Sequence, residues 1–127
     1  MKVFSNTVRA LALVLAMPFA ASAADPITLG LVDEVTGPQA EAGVLTMNGV
    51  RLAIEEINGT GGVMGRPLEL RVEDNQSTNP GTVLAYSKLV DQGGIVAVIG
   101  PLRSTQVQAA SPTIAKARIP DFIGGSD

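Results

Sequence analysis

Apolar and polar positions alternate between two periods along residues 27–123, and the alternation sets out a series of elements. Ile27 to Val32 is a short apolar run of the kind that forms a buried strand. A polar stretch, Asp33 to Gly43, follows as a loop marked by Thr36-Gly37-Pro38. Val44, Met47, Val50, Ile54 and Ile57 then recur three or four apart, which places them on one face of a helix. Asn58-Gly59 tolerates a left-handed backbone and is expected to close that helix. Leu68, Leu70 and Val72 alternate with Glu69, Arg71 and Glu73, the period of a strand with one wetter face. Asp74 to Thr78 is loop, and Asn79-Pro80 reads as an N-cap followed by proline at the first helical position.

That second helix carries Val83, Tyr86, Leu89 and Val90 and ends at Gln92-Gly93-Gly94. Ile95 to Ile99 is wholly apolar, as in a parallel strand covered on both faces. After a loop from Gly100 to Ser104, a third helix is expected from about Thr105 to Ala117, kinked or divided at Pro112. Ile119 to Ile123 reads as a fourth strand. The order β-α-β-α-β-α-β with short connections calls for an α/β fold, a doubly wound parallel sheet with right-handed crossovers. The last core-like strand has no helix after it, so the sequence reads as the start of a larger lobe.

Residues 1–23 fit none of this. Lys2 and Arg9 precede an almost wholly apolar run from Ala10 to Ala21, and Ala21-Ser22-Ala23 offers the small side chains a signal peptidase accepts. The apolar run is shorter than the ~20 residues of a membrane span and contains Pro18. The expectation is a signal peptide over 1–23, cleaved after Ala23, and a periplasmic binding domain over 24–127 whose second lobe is missing. Without the leader, seven basic residues face twelve acidic ones, a net charge of −5. Such a surface does not favour nucleic acid or an anionic membrane as partner.

The chain has no Cys and no His. Disulfides, thiolate metal sites, a lipid-modified cysteine, Ser-His-Asp catalysis and the usual zinc sites are therefore outside its chemistry. The glycine-rich stretch Gly59 to Gly65 follows a helix and not a strand, which is the wrong context for a dinucleotide. Glu55-Glu56 and Glu73-Asp74 read as solvated charge, since neighbouring side chains diverge on a helix and alternate faces on a strand. No catalytic group, metal or cofactor is expected.

Three ordered stretches resemble the branched-chain amino-acid (Leu/Ile/Val) binding family of type I periplasmic solute-binding proteins. They are Thr36-Gly37-Pro38-Gln39-Ala40-Glu41-Ala42-Gly43, then Asn48 to Asn58 continuing through Gly61-Gly62-Val63-Met64-Gly65-Arg66, and finally Ile99 to Ser104 with Ala110 to Ala115 and Ile119-Pro120. The similarity covers nearly all of residues 26–127. The resemblance implies two doubly wound lobes closing on a ligand, with this chain holding the opening strands of the first. It implies a substrate-binding protein that delivers amino acids or related small carboxylates to an ABC permease in the inner membrane, and no enzyme.

In open α/β sheets the ligand crevice lies beyond the carboxyl ends of the strands. By the resemblance, Leu102, Arg103 and Ser104 match the ligand-contacting segment after the third strand, and Gly125, Ser126 and Asp127 match the one after the fourth. Ala42 matches a first-loop position that is often aromatic in the family. The N–H groups opening the third helix, with the Ser104 hydroxyl, suit a carboxylate. Residue type alone favours Ser104 as a helix cap, and it leaves Arg103 open between a ligand contact and a solvated surface residue. Alanine at 42 leaves space where a ring would lie, and Arg103 brings charge where a small residue is common, which points to a larger or second acidic group. The other function classes open at this point are a ligand-sensing receptor domain of the same fold and a secreted α/β hydrolase. No Gly-x-Ser-x-Gly elbow is present for the latter.

Overall fold

The computed structural model describes residues 24–124. The segment read as an export signal, 1–23, and the candidate residues Gly125, Ser126 and Asp127 lie outside the described residues. Four strands, β1 (Ile27–Asp33), β2 (Leu68–Asp74), β3 (Ile95–Ile99) and β4 (Asp121–Phe122), alternate with three helices, α1 (Ala40–Gly59), α2 (Asn79–Gln92) and α3 (Ser104–Ala117). All pairings are parallel and the spatial order is β2-β1-β3-β4. The chain steps outward from β1 to β2, then crosses back over β1 to β3. With right-handed crossovers, this reversal puts α1 on one face and α2 and α3 on the other.

The main core lies on the α2/α3 face, where Val32, Ala85, Tyr86, Leu89, Ile95 and Val98 are buried together. Val90, Ile114, Ala117 and Ile119 pack around them. Ile95 and Val98 are three apart yet share this face because the β1–β3 ladder slips: Thr28 pairs with Ile95 and Leu29 with Ala97. Val96 is the extra residue of a bulge and stays 51% exposed. The expectation of a β3 covered on both faces is corrected here, since α1 packs on β1 and β2. Gly30 lets Leu89 approach β1; a Cβ there would stand 3.0 Å from a Leu89 methyl.

Element boundaries differ from the sequence reading in several places. α1 begins at Ala40, four residues before its first large apolar side chain, and Met47, Val50 and Ile54 are its half-buried stripe. Its end does not use a left-handed Asn58-Gly59: Thr60 is the C-cap at φ −98°, and positive φ comes at Gly61. Asn58 is committed elsewhere, because its side chain donates to the Leu68 carbonyl (2.9 Å) and accepts from the Leu68 N–H (2.7 Å). The cap of α2 is Thr78, whose hydroxyl accepts from the Gly81 N–H at 3.0 Å, one residue ahead of the expected Asn79. α3 runs unbroken through Pro112, and β4 is two residues long rather than five. Proline at 120 has no N–H to give the ladder, although its carbonyl still accepts from Val98 at 2.9 Å.

Candidate functional site

Strand order reverses between β1 and β3, so the loops leaving these two parallel strands diverge to opposite faces and open a crevice at their carboxyl ends. Leu102, Arg103 and Ser104 follow β3 there. Ser104 is the first residue of α3 and is half-buried; Arg103 holds the N-cap position and makes no side-chain cap bond. The Gln106 and Val107 N–H groups turn back onto the Arg103 carbonyl at 3.0 and 2.9 Å. The first turn of α3 thus satisfies those two donors internally, and the N–H groups aimed at the crevice are fewer than the sequence suggests.

Arg103 is partly exposed, but its guanidinium is engaged on both sides. Its Nε donates to Glu34 Oε1 at 2.7 Å and its Nη2 to Gln39 Oε1 at 2.7 Å. The Glu34 side chain is fully buried, while that of Arg103 is 40% exposed. Glu34 Oε1 also accepts from Gln106 Nε2 at 2.8 Å, and Gln106 Oε1 accepts from Asn75 Nδ2 at 3.2 Å. This chain of bonds joins the loops after β1, β2 and β3. Asp74 extends it: its carboxylate accepts from the Thr36 N–H (3.1 Å), the Thr36 hydroxyl (2.6 Å) and the Gln76 N–H (2.8 Å). Burial pushes the Asp74 carboxyl up, but these bonds outweigh it and hold the pKa below the ordinary 3.8. The reading of Asp74 as idle solvated charge is corrected: it ties the first loop to the second.

α1 comes down hard on the same loop. A Cβ at Gly43 would collide with the Glu34 carbonyl oxygen, so only glycine allows the first turn of α1 to lie against the end of β1. Ala42, beside it, is half-buried and lines a groove of about 240 Å³ with Pro38, Gln39, Glu41 and Leu45. Leu102 lines a different cavity, of about 20 Å³, with Leu31, Asp33, Thr46 and Ile99. Ala42 and Leu102 thus line different cavities, and Arg103 links their neighbourhoods through Gln39.

Asp33 and Glu34 are the site residues that sequence patterning passes over as the polar start of a loop. β1 in fact runs to Asp33, which is 1% exposed. Its Oδ1 accepts from the Glu34 N–H at 2.8 Å, while Oδ2 has no hydrogen-bond partner among the described residues. Burial raises the Asp33 pKa to about 6; the bond from the Glu34 N–H lowers it and the Glu34 charge raises it. The one signal in the sequence is the paired acid directly after a buried apolar run. Among the described residues no group of three or more His, Cys, Asp or Glu is placed to hold a metal ion.

The relationships of this chain agree with its architecture. A family profile described as periplasmic binding protein matches residues 26–127. The Leu/Ile/Val-binding protein BraC3 of Rhizobium johnstonii is 36% identical over 104 residues, 82% of this chain and 28% of its own length. The leucine-specific-binding protein of Salmonella typhimurium is 38% identical over 88 residues, 69% of this chain and 24% of its own. Among solved structures, the branched-chain amino acid transporter substrate binding protein LivJ from Streptococcus pneumoniae, in complex with isoleucine, superposes with a TM-score of 0.72 at 33% identity. That match covers 76% of this chain and 28% of the other. The chain spans about a quarter of the length of these relatives. It belongs to the periplasmic binding protein family, in the branched-chain amino-acid (Leu/Ile/Val) binding group of the type I fold.

Proposed function

We propose that this chain supplies one wall of the ligand crevice in a periplasmic binding protein that captures an amino acid or related small carboxylate and hands it to an ABC permease in the inner membrane. The observation that carries the reading is the reversal of strand order between β1 and β3, with the Gly100–Ser104 loop and the first turn of α3 at its mouth. Leu102, Arg103 and Ser104 contact the ligand from that loop, Ala42 from the start of α1, and Gly125, Ser126 and Asp127 from beyond β4. The protein acts by closing around its solute, a motion the ligand favours by touching both walls, and no bond is made or broken.

The setting is the periplasm. Residues 1–23 direct export and are removed after Ala23, leaving Ala24-Asp25 at the new N-terminus. Intact-mass measurement of the exported protein tests this half of the reading; a periplasmic species that keeps Met1 refutes it. Titration of the full-length protein with L-leucine, a dicarboxylate and a neutral amide tests the other half.

A further inference from the structure

We propose that Met64 is a modification site, oxidised to its sulfoxide by a hydroperoxide ahead of Met47 and without consequence for the fold. Met64 and Gly65 are the central residues of a tight turn between α1 and β2. The Val63 N–H donates to the Arg66 carbonyl at 2.8 Å, and the Arg66 N–H donates to the Val63 carbonyl at 3.0 Å. Both central residues have positive φ, 53° at Met64 and 76° at Gly65, as a type I′ turn requires. Glycine, asparagine and aspartate take the first of these positions readily; methionine is held there in a left-handed backbone that its Cβ opposes. Its side chain gains no packing in return, because Met64 is 95% exposed. An apolar residue at a strained position, open to water, points to a role for the side chain in solvent.

The chemistry a thioether offers in solvent is reaction with oxidants. The chain has no Cys, His or Trp, and its one tyrosine, Tyr86, is buried, so methionine sulfur is its most readily oxidised group. Met1 and Met17 lie in 1–23, which leaves Met47 and Met64 among the described residues. Met47 belongs to the half-buried stripe of α1, which packs on β1 and β2. A sulfoxide there sets a polar group into that packing, whereas at Met64 it meets only water. In the step, the sulfur lone pair takes the outer oxygen of the hydroperoxide. An S–O bond forms as the O–O bond breaks, and sulfur loses two electrons. The remaining oxygen keeps the proton and leaves as an alcohol, or as water from hydrogen peroxide. A methionine sulfoxide reductase drawing on two thiols returns the thioether, with a disulfide and water as the other products. The turn lies at the amino end of β2, so the seven residues of that strand, roughly 23 Å of extended chain, separate Met64 from the crevice.

The test treats the full-length protein with limiting hydrogen peroxide and follows each methionine by peptide mass mapping. Met64 should gain one oxygen roughly tenfold or more faster than Met47. Protein oxidised at Met64 alone should keep its urea midpoint, and a methionine sulfoxide reductase should remove the added oxygen. Met64→Asn, which suits the turn, should raise the midpoint and abolish the fast reaction while Met47 oxidises at its former rate. Equal rates at Met47 and Met64, a midpoint lowered by oxidation at Met64, or a sulfoxide that the reductase leaves in place would each overturn the proposal. So would a Met64→Asn variant less stable than the parent, since the side chain would then be structural.

Discussion

Arg103 and Glu34, 69 positions apart in sequence, meet at 2.7 Å and bind the loops after β3 and β1 into one unit. The pair is asymmetric, because Glu34 is wholly buried and Arg103 is partly in water. Removing Arg103 strands a buried carboxylate whose second oxygen already lacks a partner among the described residues. Arg103→Ala should therefore destabilise the protein by about 2–3 kcal/mol, toward the lower end for a broken buried pair because water gains access. Combining it with Glu34→Gln should recover more than half of that loss. Denaturant unfolding of the single and double variants checks this, and additive losses would show that the two side chains are not coupled.

Asn58 sets where β2 begins. Its amide group pairs with both backbone groups of Leu68, closing the α1–β2 connection in the way a further strand residue would. Asn58→Ala leaves a half-buried N–H and C=O without those partners and should cost about 1–2 kcal/mol. Asn58→Asp keeps the acceptor and loses the donor, and should fall between the two in unfolding measurements. An alanine variant as stable as the parent would contradict the role given to Asn58.

The helix and strand sequence of this fold was legible because period 3.6 and period 2 are local properties, and Tyr86 and Leu89 fell on the core face they were expected to line. The bulge at Val96 was not legible, since Ile95 to Ile99 is uniformly apolar and offers no contrast from which to read a slip of register. The start of α1 was missed for a related reason: Ala40 to Gly43 carries no large apolar residue for a periodicity to register, and the close approach of Gly43 to Glu34 is a tertiary contact. In the crevice, the resemblance pointed to Leu102, Arg103 and Ser104. What Arg103 does was beyond any local pattern, because its partners Glu34 and Gln39 lie in another loop. Asp33 was hidden by the assumption that an acidic residue after an apolar run is loop.

The carboxyl groups predict how stability changes with pH. Burial raises Asp33 and Asp121 to about 6, above the ordinary carboxylate value of 3.8. Each then holds a proton more tightly in the folded protein than in the unfolded chain. Folding takes up protons between about pH 4 and 6, so stability rises as pH falls through that window and is flat in these groups above it. Asp74 has the opposite sign: its lowered pKa supports the fold above 3.8 and is lost only in more acid solution. Urea midpoints should therefore increase from pH 7 to about 4.5, and Asp33→Asn and Asp121→Asn should each flatten the rise. A steady fall over the same range would contradict the assignment.

The central claim is that the Gly100–Ser104 loop and the start of α3 hold the carboxylate of a small solute. Calorimetric titration of the full-length protein and its Ser104→Ala variant, with L-leucine, a dicarboxylate and a neutral amide, tests it most directly. Losing a charge-assisted hydrogen bond costs ~1.5–3 kcal/mol, so Ser104→Ala should weaken either carboxylate roughly tenfold or more, while the amide binds weakly to both proteins. An amide bound as tightly as the carboxylates, or a Ser104→Ala variant whose affinities are unchanged, would contradict this account of the site.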